Sequence, residues 1–210
     1  MTRLQLLSLF ALILLGASVS YLLKDARPLG RAVGGSEAAA RVLRDLEAPH
    51  AVYGDGGLTV VIFIDYRCSA CKRGNIALRR AIARDGNLRV VYRDWPIFGE
   101  RSERAARVAL AAQRQGIYPL VHHQLMVADA LDEAALARAV KRAGGSWQQI
   151  EADLHAYEHA IAGQLAANAR DAYALGLTGT PGYLVGPLLI EGAMTEREFV
   201  RAFTQARSRD

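Results

Sequence analysis

The chain has 210 residues, 51% hydrophobic and 22% charged, with a net charge of +5. This is enough chain for one globular domain with an insertion, and enough apolar residue to form a core without disulfide staples. Two cysteines are too few for a four-thiolate metal site. The dispersed positive charge, with Arg101, Arg104 and Arg107 alternating with Glu100 and Glu103 as on a solvated helix face, argues against nucleic acid as a partner.

Arg3 precedes an uncharged, leucine-rich run from Leu4 to Leu23, which Lys24 ends. The charged start, apolar middle and small Ser18-Val19-Ser20 fit a signal peptide. The run also matches the roughly 20 residues of a membrane-spanning helix. Residues 1–23 are therefore read as a cleaved signal or a membrane anchor. Lys24, Arg27 and Arg31 after the run oppose export by the positive-inside rule. The redox motif described below favours it.

Residues 24–50 read as a linker and an N-terminal helix. Pro and Gly mark Asp25 to Gly35, Ser36 is an N-cap, and the helix covers Glu37 to Glu47. After the turn Gly54-Asp55-Gly56-Gly57, the β-branched run Leu58 to Ile64 predicts a strand buried on both faces. A helix follows Cys68, with Ile76, Leu78 and Ile82 as its apolar positions. Leu88 to Tyr92 is a second strand, so residues 51–99 hold a strand–CxxC–helix–strand unit.

Residues 100–175 are alanine- and arginine-rich and read as a helical block punctuated by Gly116 and Gly144-Gly145. In residues 176–206, Tyr183 to Val185 and Leu188 to Ile190 are short strands around Gly186-Pro187. Thr195 and Glu198 form a capping box on a last helix ending near Ala206.

Cys68-Ser69-Ala70-Cys71 thus joins a buried strand to a helix. The helix N-terminus favours a thiolate at Cys68, and Arg67, Lys72 and Arg73 add positive charge. Thiolates are the nucleophiles of disulfide exchange. Cys68 is expected to be the exposed, attacking cysteine and Cys71 the resolving one. A purely structural disulfide closing so short a loop would stabilise little.

The segment from Val60 to Lys72 resembles the active-site strand and helix start of the DsbA-like thioredoxin family, in its branch with an Asp65-Tyr66 pair before the first cysteine. Tyr92-Arg93-Asp94-Trp95-Pro96-Ile97 is similar to that branch's second strand and exit. His123-Gln124-Leu125-Met126 resembles a helix signature of its insertion. Gly176-Leu177-Thr178-Gly179-Thr180-Pro181-Gly182 resembles its cis-proline loop. The resemblance covers roughly residues 36–206. It implies an α/β thioredoxin-like fold with an inserted helical domain. It also implies a cis Thr180–Pro181 bond beside the cysteines, with Thr180 and Pro181 lining the substrate. Many members carry a buried acid six residues before the first cysteine, where this chain has Ile62. Asp65 either substitutes for that acid or caps the Cys68 helix. Arg67 and Lys72 are further candidates for tuning the pair.

His155-Ala156-Tyr157-Glu158-His159 matches H-x-x-E-H with both histidines on one helix face, but no third ligand or peptidase scaffold accompanies it. Trp95 and Trp147 read as packing residues. The expected activity is thiol–disulfide exchange with cysteine-containing exported proteins in the periplasm or another extracytoplasmic compartment. It requires no cofactor and no metal, and a membrane redox partner sets its direction. The rival readings are a Cu(I)-binding or copper-delivery protein using the two thiolates, and a redox-inactive chaperone.

Overall fold

The computed structural model describes residues 29–209 and, before them, residues 5, 9, 10 and 12–18. Residues 12–18 are helical and exposed. Arg3, Leu4, Leu23 and Lys24, which bound the apolar leader, lie outside the described residues. Among those that are described, no helix is long and apolar enough to cross a membrane.

Six strands form one sheet in the order β1-β6-β5-β3-β4-β2. They are β1 (Arg31–Ala32), β2 (His50–Tyr53), β3 (Leu58–Ile64), β4 (Leu88–Asp94), β5 (Gly182–Val185) and β6 (Leu188–Glu191). Strands β3 and β4 are parallel and the other pairs antiparallel. Helix α1 (Glu37–Arg44) precedes β2, α2 (Ser69–Asp85) links β3 to β4, and α8 (Glu196–Arg207) closes the chain. Between β4 and β5 lie α3 (Glu100–Ala112), α4 (Tyr118–Val127), α5 (Glu133–Arg142), α6 (Trp147–Ala156) and α7 (Glu158–Ala174).

Alternation along β3 divides the core. Leu58, Val60, Ile62 and Ile64 join Val90, Tyr92, Leu78, Phe199 and Phe203 under α2 and α8. Val61 and Phe63 join Val91, Trp95, Val42, Ala172 and Leu184 under α1 and α7. Each such side chain contributes about 1.5–3 kcal/mol when buried, so a polar residue at Val61 or Phe63 would break the second layer. The αL conformation that stops α2 falls at Gly86, φ 72°, whose N–H bonds Ile82 O at 2.9 Å.

The structure revises several expected boundaries. Helix α1 stops at Arg44 because the Asp45 carboxylate takes the N–H groups of Glu47 and Ala48 and turns the chain. Strand β4 runs on to Asp94. Strands β1 and β2 were not expected. Both lie at sheet edges with largely exposed residues, so neither carries an apolar pattern. Ile76 is exposed, unlike Leu78 and Ile82. Tyr157 interrupts the chain between α6 and α7, so His155 and His159 fall on different helices rather than on one face. Trp95 is buried, and Trp147 packs against the main core.

Candidate active site

Strand β3 delivers the chain at Ile64 to the loop Asp65-Tyr66-Arg67, and α2 begins at Ser69 with Cys68 as its N-cap. The Cys68 sulfur stands where a capping oxygen would, accepting the Cys71 N–H at 3.2 Å. Helix dipoles favour negative charge at that place. The Cys68 thiol donates to the Thr180 carbonyl at 3.4 Å, and the Thr180–Pro181 peptide is cis. The structure therefore brings Cys68, Cys71, Thr180 and Pro181 together.

Both cysteines are free thiols. The expected exposure of Cys68 is corrected, because the Thr180 carbonyl lies over it. Cys68 is 5% exposed and Cys71 1%, so Cys68 is only the more open of two buried thiols. Burial pushes the Cys71 thiol well above its ordinary range. The Asp65 N–H opposes that shift, the Cys68 sulfur adds to it, and the Thr180 hydroxyl opposes it.

Asp65 fills neither expected role. The cap of α2 is Cys68, and the Asp65 carboxylate is committed elsewhere. Its Oδ1 accepts the Arg67 N–H at 2.7 Å and the Ser102 hydroxyl. Its Oδ2 accepts the N–H groups of Ile97 at 2.7 Å and Phe98 at 3.1 Å. Asp65 thus binds the dithiol loop to the β4–α3 connection and to α3. The charged ends of Arg67 and Lys72 are likewise held by backbone carbonyls. The Arg67 guanidinium donates to Phe98 O at 2.5 Å, and Lys72 Nζ donates to Ala128 O at the end of α4.

A second buried polar group lies on the Ile62 face of the sheet. Tyr118 Oη donates to Asp94 Oδ2 at 2.8 Å, and Tyr66 Oη lies 3.4 Å from Tyr118 Oη and 3.2 Å from His122 Nδ1. All four residues are buried. Burial raises the Asp94 carboxyl to about 7, against the lowering effect of the Tyr118 and Tyr66 hydroxyls. Burial, then His123 and Arg79, lowers His122 to about 3. The signal in the sequence is two charged residues, Arg93 and Asp94, closing a strand whose middle, Val90 to Tyr92, is apolar. Arg93 is accounted for on the other face by Asp45 at 2.6 Å and Asn168 at 3.1 Å.

These features agree with what the chain is similar to. No curated protein matches it. A thioredoxin-like oxidoreductase from Silicibacter pomeroyi is 33% identical over 82% of this chain and 98% of its own, with a TM-score of 0.75. A periplasmic thioredoxin-like protein from Salmonella enterica serovar Typhimurium is 23% identical over 81% and 96%, TM-score 0.68. The thiol-disulfide exchange protein alpha-DsbA2 from Wolbachia pipientis is 22% identical over 80% and 95%, TM-score 0.73. The last two likenesses establish the fold alone. The model of the DSBA-like thioredoxin domain matches residues 59–203, which hold the dithiol, the helical insertion and the Thr180–Pro181 loop. The chain belongs to the DSBA-like thioredoxin family, whose thioredoxin fold carries a helical insertion.

Proposed function

We propose that this chain exchanges disulfides with cysteine-containing exported proteins, with Cys68 attacking and Cys71 resolving. The observation that carries the reading is the placement of Cys68 as the sulfur N-cap of α2 beneath the Thr180 carbonyl, with Cys71 one turn behind it. The Cys68 thiolate attacks a disulfide of the substrate, so that the substrate's S–S bond breaks, one substrate sulfur leaves as a thiolate and the other is held in a mixed disulfide with Cys68. Cys71, as a thiolate, then attacks Cys68 Sγ. The Cys68–Cys71 bond forms, and the substrate sulfur leaves and is protonated by solvent. Once the Cys68 thiol is ionised it no longer occupies the Thr180 carbonyl, which is then open to an N–H of an extended substrate.

Export is supported by the apolar leader and by the periplasmic origin of the Salmonella relative. In that compartment a membrane redox partner would set the direction of exchange.

The test is refolding of a reduced, unfolded disulfide protein in a glutathione buffer. The chain should accelerate recovery of native disulfides, and Cys68→Ser should abolish the acceleration. Recovery at the buffer rate with the intact chain would overturn the reading.

A further inference from the structure

A cavity of about 210 Å³ lies between α2, α4 and the sheet face formed by β3, β4 and β2. Ile62, Leu78, Ile82 and Val90 give it apolar walls, and the Tyr92 ring adds an aromatic one. An apolar cavity of about 150 Å³ takes up benzene, so this one has room for a single ring with small substituents. Its inner lining is not wholly apolar. Asn75 and His122 belong to it, and they are only 9% and 3% exposed. The Asn75 amide has no hydrogen-bond partner among the described residues. His122 Nδ1 is engaged by Tyr66 Oη, whereas Nε2 has no partner. Buried polar groups are normally paired, and here two unpaired ones belong to one cavity.

The outer lining has a different character. Tyr53, Arg79 and Leu120 are its exposed members and mark the mouth. The lining contains no carboxylate, and none pairs with Arg79 among the described residues. Arg79 follows Asn75 by about one helical turn, roughly 6 Å along α2. A ring substituted at opposite ends spans a comparable distance.

We propose that this cavity binds a small aromatic acid bearing a hydroxyl opposite its carboxylate, with the carboxylate on Arg79 and the hydroxyl between Asn75 and His122. The apolar walls and the Tyr92 face suit the ring, and a few placed polar groups set its orientation. The guanidinium at the mouth selects the anionic end. The inner end calls for a group that both donates and accepts. An amide does both. His122 is neutral, and its Nε2 donates or accepts according to which of Tyr66 and Nδ1 carries their shared proton. A hydroxyl satisfies either arrangement, whereas a second carboxylate would bring buried charge with no cation to meet it.

The experiment is calorimetric titration of the full chain with 4-hydroxybenzoate. It should bind at one site with a Kd of roughly 0.1–1 mM, as suits so small a ligand. Benzoate, which lacks the hydroxyl, should bind about fivefold more weakly. Arg79 is exposed, so Arg79→Gln should fold normally. It should weaken 4-hydroxybenzoate about fivefold and leave 4-hydroxybenzyl alcohol, which has no charge, unaffected. Arg79→Lys should recover part of the loss. Arg80→Gln removes a neighbouring charge outside the lining and should change nothing. Asn75→Leu, which puts an apolar side chain at the inner end, should abolish binding. No saturable binding of 4-hydroxybenzoate, or equal weakening by Arg79→Gln and Arg80→Gln, would overturn the proposal. Cys68→Ser should bind as the wild type does, so the result stands apart from the disulfide-exchange reading.

Discussion

Cys71 is nearly closed to water, and burial holds its thiol protonated. Cys68 is the more open sulfur, although the Thr180 carbonyl covers it. In Cys71→Ser, attack at Cys68 should give a mixed disulfide with substrate that persists, visible by mass spectrometry. Cys68→Ser should trap none, because Cys71 is shielded. Trapping at Cys71 instead would reverse the assigned roles. Asp65 matters at the same scale for a different reason. Asp65→Ala would strip an acceptor from four donors: the N–H groups of Arg67, Ile97 and Phe98, and the Ser102 hydroxyl. Orphaning these donors, of which the Ser102 hydroxyl is buried and the three N–H groups partly so, should cost about 1–3 kcal/mol in urea unfolding. Cys68 and Cys71 were legible from their spacing between a buried strand and a helix, and Thr180 and Pro181 from the family resemblance of the loop that holds them. The work of Asp65 was not, since three of its four donors, Ile97, Phe98 and Ser102, lie more than 30 residues along the chain.

At the scale of elements, β4 and α4 are joined through Asp94, Tyr118, Tyr66 and His122. Two titrations oppose each other there. The Asp94 carboxyl, raised to about 7 from an ordinary 3.8, favours the fold when protonated. That stabilisation is complete below about pH 4 and is lost as pH rises towards 7. His122, lowered to about 3 from 6.5, destabilises the fold as pH falls below about 6.5. Asp94→Asn removes only the first effect. Between pH 4 and 7, the stability of the wild type relative to Asp94→Asn should therefore fall steadily as pH rises, measured by urea midpoints. A difference independent of pH would contradict the burial argument.

Local signals served well where they were complete. The Thr195–Glu198 capping box is formed on α8, with Glu198 N–H donating to Thr195 Oγ1 at 3.3 Å. Thr195→Ala should cost about 1 kcal/mol. Strand β3 was legible to the residue because seven apolar or β-branched positions share both faces of the core. Strand β2 was not, because β4 pairing and not its own composition makes it a strand.

For the whole molecule, the chain order β3, α2, β4, helical block, β5, β6 and α8 was legible in the sequence, whereas the places of β1 and β2 at the sheet edges were not. The direction of export is a separate matter that the fold does not carry. A reporter enzyme active only when exported, fused after Arg207, should be active if the leader directs the chain outward. An inactive fusion would give the positive residues after the leader the deciding weight.

The most direct test of the central claim is equilibration of the purified chain in glutathione redox buffers, with the Cys68–Cys71 state followed by mass spectrometry. The account predicts one two-electron transition between the dithiol and an intramolecular disulfide. That transition should disappear in Cys68→Ser and Cys71→Ser. A pair that stays reduced across the series, or that stops at a glutathione mixed disulfide, would contradict it.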